Sequence, residues 1–398
     1  MKIEITKGLL KKRTELIWLN EQMKNRIITD EKTGLKFYSG YAYDALYDWD
    51  QYFEALVQIY MGWGSAYIKN GVLVFLASQR GDGFIHRIVN GSKDDKYSLN
   101  EHVKPFLAQT AMLVVENYGE TDWILKDELL VKLDKYMKYW LYDMDKDKNG
   151  LSEWLSAPHT GMDNQHERAG YWDDGFCEGT DLNSYLVSEC RALAKLFGLR
   201  GDKAKSKEYL AAAEERKNKI NSVLWNEKDG FYYDRNIYYN KRAKSPRLPW
   251  PAYMNCIEER YLPDRCVSSF MPLYCGVASK EQAARLVKDY LLNPDEFWSE
   301  YPVRTMSKSA RWYSQERLPA DLGCDWRASV WIPVNYMIIR GLRDYGFNAE
   351  ADTLASQTAR LVKTAGNREW YAADTGKGCG QNPFWGWSLL GYFAECEM

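Results

Sequence analysis

Apolar residues recur three and four positions apart along most of the chain, the spacing that gathers them on one face of an α-helix. Residues 8–25 show it first, and Tyr47 to Trp63 continue it with Phe53, Leu56, Val57 and Tyr60. A third helix is predicted over 65–79, ending at the turn signal Arg80-Gly81-Asp82-Gly83. Pro105 opens the next at a favoured first-turn position, and Thr121 to Tyr142 follows Gly119, with Asp122 near its start. Asp181 and Asp202 are placed to cap a helical hairpin of about 181–197 and 203–224. Residues 225–265 are less regular: Phe231-Tyr232-Tyr233 and Ile237-Tyr238-Tyr239 read as short strands, and Pro246, Pro249 and Pro251 break any helix. Helices then resume over 266–274, over 280–292 with Ser279 as cap, and over 329–345, 348–364 and 383–395, after a long loop from Pro294 to Arg327.

About twelve helices in successive pairs, with long aromatic and acidic loops mainly at alternate connections, predict an all-α fold. The expected architecture is an (α/α)6 barrel, a toroid of six inner and six outer helices with the loops gathered at one mouth. No fixed repeat period and no Ser/Gly linker divides the chain, so residues 1–398 are read as one domain.

Composition narrows the functional classes. The chain is 45% hydrophobic and 27% charged, with a formal charge of −2, and has no cluster of Lys or Arg set among stacking aromatics, which argues against nucleic acid as a partner. No segment of about twenty apolar residues suits a membrane span, and residues 1–7 lack the apolar core of a signal peptide. A soluble, cytoplasmic protein is expected, and nothing in the pattern specifies an oligomer. The eight cysteines form no CxxC pair and no close Cys/His set, so they read as buried free thiols. Aromatic content is high, with 16 Trp, 29 Tyr and 13 Phe. Many of these rings fill the core. Others lie in loops beside acids, where pyranose C–H faces pack on rings and sugar hydroxyls pair with carboxylates.

Two such loops stand out. Trp154-Leu155-Ser156-Ala157-Pro158-His159-Thr160-Gly161-Met162-Asp163-Asn164 presents Asp163 between polar neighbours, and Arg368-Glu369-Trp370-Tyr371-Ala372-Ala373-Asp374-Thr375-Gly376 presents Glu369. Alone, Asp163 reads better as a turn cap and Glu369 as a surface acid. Together they suggest acid/base chemistry on a glycoside, in which one carboxyl protonates the leaving oxygen and the other deprotonates water. Aromatic burial, for which Trp154, Tyr171 and Trp172 are candidates, would keep Asp163 protonated, while Arg368 would keep Glu369 ionised.

These loops sit among other blocks: Tyr47-Asp48-Trp49-Asp50-Gln51-Tyr52-Phe53, Trp326-Arg327-Ala328-Ser329-Val330-Trp331, and Phe384-Trp385-Gly386-Trp387-Ser388. In this order the five resemble the conserved blocks of glycoside hydrolase family 63 and, more loosely, the family 37 trehalases. The resemblance implies an (α/α)6 barrel that hydrolyses an α-glycosidic bond with inversion, with Asp163 as general acid and Glu369 as general base. Trp49 and Asp50 match residues lining the subsite of the sugar whose bond is cut. Phe53, Asn164, Trp326, Arg327, Tyr371, Trp385 and Trp387 are further candidates for substrate binding, and core packing or structural ion pairing is the competing reading for Trp385, Trp387 and Arg327. The short chain resembles bacterial hydrolases of glucosylglycerate or mannosylglycerate, with trehalose the next substrate. Ala328-Ser329 departs from the commoner Gly-Pro, and Gln165-His166-Glu167-Arg168 departs from a Ser-Pro-Arg-like continuation. The latter run is therefore where leaving-group recognition is expected.

Asp145, Asp147, Asn149 and Gly150 match half of a calcium loop, but Ser156 stands where the twelfth-position Glu belongs, so an Asx-rich turn is the preferred reading. His86, His102, His159 and His166 form no metal spacing, and neither a metal nor another cofactor is expected. Gly376-Lys377-Gly378-Cys379-Gly380 lacks a dinucleotide frame and reads as a mobile active-site loop. The rival classes are a sugar epimerase using His159 and His166 on the same toroid, and a sugar-binding protein without catalysis.

Overall fold

The computed structural model describes residues 1–41, 44–89, 100–170, 175–237, 260–314 and 324–397. Helices dominate, and the strands are two or three residues long. Burial separates two kinds of helix. In Asp48–Met61 all fourteen residues are buried, as expected of a helix with neighbours on every side. In Lys203–Lys219 only Tyr209, Ala213 and Arg216 are buried, so this helix shows a charged face to solvent.

The buried elements pack in a closed cycle. Asp48–Met61 contacts Leu107–Tyr118, which contacts Thr180–Arg200, which contacts Met271–Tyr274; that turn contacts Ile332–Asp344, which contacts the 3-10 segment Trp387–Tyr392, and the last returns to Asp48–Met61. Outside this cycle, Lys203–Lys219 lies on Thr180–Arg200, and Asn348–Ala365 lies on Ile332–Asp344 and Trp387–Tyr392. No helix among the described residues is long and apolar enough to cross a membrane. The described cysteines are free thiols, four of them buried and Cys324, Cys379 and Cys396 half-buried.

Several boundaries differ from the sequence pattern. The helix expected over 8–25 divides at Leu16 into Lys7–Glu15 and Ile17–Lys24. The one expected from Thr121 starts at Asp127, with Asp127 and Glu128 in its first turn. The caps at Asp202 and Ser279 hold, the latter as a capping box with Gln282. Phe231–Tyr232 is a strand paired with Trp225–Asn226, while Tyr238, Tyr239 and the three prolines fall outside the described residues.

The largest departure is at the end of the chain. Residues 383–395 are not an α-helix: Trp387–Tyr392 and Ala394–Glu397 are 3-10 turns. A backbone junction is the reason. A Cβ on Gly40 would lie 2.2 Å from the Cα of Gly386, and Trp385 donates its backbone N–H to the Gly40 carbonyl at 3.3 Å. These contacts draw the chain away from helical geometry before Trp387. They also tie the N-terminal part of the chain to its C-terminal part beside the candidate site.

Candidate active site

The Asp163 loop is built by a short capped turn. Ser156 accepts the His159 N–H at 3.1 Å, Ala157–Thr160 forms one helical turn, and Gly161 closes it at φ +82°. A side chain at Gly161 would meet the Trp49 ring at 2.7 Å, so the turn rests directly on Trp49. Beyond Asp163, Asn164 Oδ1 accepts the Trp326 N–H at 2.7 Å, and Gln165 Nε2 donates to the Trp326 carbonyl at 2.5 Å. Trp326 in turn stacks on Trp331 with centroids 3.8 Å apart and tilts against Trp49 at 5.8 Å. Three of the sequence blocks thus converge on Asp163.

Glu369 directly precedes the strand Trp370–Ala372, the middle strand of an antiparallel sheet with Ser329–Val330 and Gly378–Cys379. Its carboxylate is buried and held by donors from separate parts of the chain. The Tyr41 hydroxyl donates to Oε1 at 3.3 Å, the Cys324 thiol to the same oxygen at 3.7 Å, and the Gln381 backbone N–H to Oε2 at 2.9 Å. A Cβ on Gly380, at φ +67°, would lie 2.4 Å from Oε2. The indole N–H of Trp387 donates to the Glu369 carbonyl at 3.0 Å.

The two acids share a neighbour. The Cys324 thiol donates to Glu369, and the charges of Asp163 and Glu369 both bear on it. Burial raises the Asp163 carboxyl to about 6, with Glu101 and Glu369 pushing the same way and Arg87 and Lys104 opposing. Asp50 lies in this neighbourhood, since it and Glu369, Cys324 and Asp163 all hold the Tyr41 phenol protonated once burial has raised it. Asp50 is buried and its Oδ1 has no hydrogen-bond partner. Burial, then the charge of Asp48, pushes it well above the ordinary carboxylate range. A buried oxygen of this kind is costly unless a ligand satisfies it.

The other named residues divide by what they touch. Phe53 is fully buried against Trp49 and Phe106. Tyr371 is fully buried and donates to the Gly366 carbonyl at 2.8 Å. Arg327 lies 3.7 Å from Glu167. Trp387 packs on Tyr41 and Phe384, and the half-buried Trp385 accepts the Tyr38 hydroxyl on its carbonyl. In the run after Asp163, where leaving-group recognition is expected, Gln165 holds Trp326, Glu167 faces Arg327, and Arg168 pairs with Asp181 and Asp234. Arg368, expected to face Glu369, donates to the Gly378 carbonyl at 3.0 Å. Trp154 donates its indole N–H to Asp181 at 2.9 Å, and Tyr171 and Trp172 lie outside the described residues. Within the glycine-rich run, Gly378–Cys379 is a strand paired with Trp370–Tyr371.

Sequence reasoning did not single out Tyr41, Cys324, Arg87 or Lys104. Cys324 stands two positions before Trp326, so the block beside it was the available signal. Lys104, fully buried in an ion pair with Asp48 at 3.0 Å and 5.3 Å from the Trp49 ring centre, was signalled by a lysine between Val103 and Pro105.

Away from this site, ligand atoms of Asp145, Asp147 and Glu153 lie within 4.8 Å of one another. Asp145 accepts the Asn149 and Gly150 N–H groups, Glu153 accepts that of Lys146, and Asp147 pairs with Arg235 at 2.8 Å. Ser156 is occupied in capping the next turn.

The profile of the mannosylglycerate hydrolase MGH1-like glycoside hydrolase domain matches residues 43–388. The chain belongs to this family. Among relatives of the family domain, a mannosylglycerate hydrolase from Thermus thermophilus is 28% identical over 169 residues, 42% of this chain and 33% of that protein. One from Rubrobacter radiotolerans is 27% identical over 213 residues, 52% of this chain and 42% of that protein. The matched stretches thus span less than half the length of either relative. A glycoside hydrolase family 63 mannosylglycerate hydrolase from Thermus thermophilus, solved in complex with glucose, superposes with a TM-score of 0.71 at 18% identity, covering 96% of this chain and 99% of that one. At that identity the superposition establishes a shared fold.

Proposed function

We propose that the protein is an inverting glycoside hydrolase that cleaves a small α-linked glucoside or mannoside, with Asp163 as general acid and Glu369 as general base. The observation that carries the reading is that the two carboxyls share one neighbourhood: Glu369 is held by the Tyr41, Cys324 and Gln381 donors, and its charge adds to the burial that raises Asp163. The electrostatics suit the roles: burial favours the protonated form of Asp163, while neutral donors hold the Glu369 carboxylate. The cycle of inner helices supports the (α/α)6 toroid expected from the sequence, with the site at one mouth.

In this reading the sugar ring lies over Trp49 and offers a hydroxyl to the unpartnered Oδ1 of Asp50. Asp163 protonates the glycosidic oxygen, so the leaving group departs on its side of the site. Arg87 and Lys104 lower the carboxyl of Asp163 through their positive charge, although each is itself paired, with Glu101 and Asp48. The epimerase alternative meets an obstacle at His159, whose ring nitrogens are both engaged, with the Leu155 N–H and the His102 carbonyl. Burial holds that imidazole well below its usual range.

A panel of mannosylglycerate, glucosylglycerate, trehalose and other α-linked disaccharides, followed by proton NMR, tests the proposal. First release of the β-anomer supports inversion, and first release of the α-anomer rejects it. Asp163→Asn and Glu369→Gln should each lower kcat by about a thousandfold or more. Full turnover in either variant would remove that residue from its role, and interconversion of two free sugars would point to the epimerase.

A further inference from the structure

Cys324 touches the proposed base, Glu369, yet inverting hydrolysis requires no thiol. We propose that Cys324 is a positioning residue, a neutral S–H donor that orients the Glu369 carboxylate for attack by water. The proposal rests on the reading of Glu369 as general base.

Geometry sets the argument. Glu369 Oε1 receives the Cys324 thiol at 3.7 Å and the Tyr41 hydroxyl at 3.3 Å, whereas Oε2 receives the Gln381 N–H at 2.9 Å. Donors on both oxygens prevent the carboxylate from turning about its terminal bond, so its remaining lone pairs keep one direction. Tyr41 and Cys324 approach from chain segments far apart, and Gln381 comes from the turn after the strand Gly378–Cys379. Arg368, on the same strand approach as Glu369, turns to the Gly378 carbonyl and leaves this task to neutral donors. The titratable groups about this point are Tyr41, Cys324, Asp163 and, on the helix Asp48–Met61, Asp50.

The thiol has one proton, and it is directed at Glu369 Oε1. Burial, and after it the charges of Asp163 and Glu369, hold the thiol protonated well beyond its ordinary range, so it remains a donor across the working pH. Cys324 therefore performs no bond-making step.

The test is the pH dependence of kcat/KM for hydrolysis of α-glucosyl or α-mannosyl fluoride, whose activated leaving group makes the rate report chiefly on water activation. Cys324→Ala removes the donor, while Cys324→Ser keeps one. A carboxylate that loses a hydrogen bond to its charged form takes up a proton more readily, so the acidic limb of Cys324→Ala should move up by about one pH unit and kcat fall about tenfold, with KM little changed. Cys324→Ser should bring the limb back toward that of the native protein. Thermal melting of both variants shows that they fold. A native acidic limb in Cys324→Ala, or a serine variant indistinguishable from alanine, overturns the proposal. Undiminished turnover by Glu369→Gln would instead overturn the assignment of the base on which it rests.

Discussion

The Tyr41 hydroxyl donates to Glu369 Oε1 at 3.3 Å across a separation of 328 positions in the chain. That contact depends on the junction behind it, where Gly40 and Gly386 meet backbone to backbone and the Gly40 N–H donates to Glu54 at 2.6 Å. Removing the hydroxyl alone should leave the ring packed on Phe384 and Trp387. Tyr41→Phe is expected to lower kcat about tenfold, the scale of one hydrogen bond to a charged group, with an unchanged melting temperature. Steady-state kinetics and calorimetry on the same preparation check both halves.

Asp163 ties activity to pH. A general acid works in its protonated form, and this carboxyl is raised from 3.8 to about 6, so kcat/KM should decline as pH rises through about 6.

The same shift has a cost in stability. The folded protein binds this proton more tightly than the unfolded chain, so stability attributable to Asp163 falls as pH rises from 3.8 through 6. Asp163→Asn should therefore stabilise the fold by about 1–3 kcal/mol at pH 8 and have little effect at pH 4. Denaturation at the two pH values measures the difference, and equal effects at both would contradict it.

Gly380 presses on the proposed base. A methyl group there would lie 2.4 Å from Glu369 Oε2 on a backbone at φ +67°, so either the carboxylate or the turn must shift. Misplacement by about 1 Å can cost a hundredfold in rate, and Gly380→Ala should lose about that much kcat while retaining the native circular dichroism spectrum.

The Lys104–Asp48 pair is completely buried, with Nζ 3.0 and 3.1 Å from the two carboxylate oxygens. Lys104→Met leaves a buried charge without its partner, for which the expected cost is about 3–5 kcal/mol. Urea unfolding monitored by tryptophan fluorescence should show a loss of unfolding free energy of that size, and Asp48→Asn in the same background should recover part of it.

Much of this was legible in the chain. Helical periodicity marked most of the helices to within a few residues, because the burial of one face requires that spacing whatever the neighbour is. The acids in the two aromatic loops, and the order of the five blocks, pointed to Asp163 and Glu369, and the charge of Glu369 bears on Asp163 in the folded chain. Burial then showed what local pattern does not encode. Asn164 and Tyr371 are polar residues in suggestive places, yet their hydrogen bonds are made to Trp326 and Gly366. Gln165, Glu167 and Arg168 likewise meet Trp326, Arg327, Asp181 and Asp234, partners that lie in other segments of the chain.

Residue order and periodicity alone specified the helices, the candidate acids and their family resemblance, since those features are carried by neighbours a few positions apart. Closure of the inner helices into a cycle, the meeting of Gly40 with Gly386, and the placement of Tyr41 and Cys324 on Glu369 depended on the folded chain. Such contacts come from packing between remote segments, and a side chain's partner is set by which surfaces burial brings together.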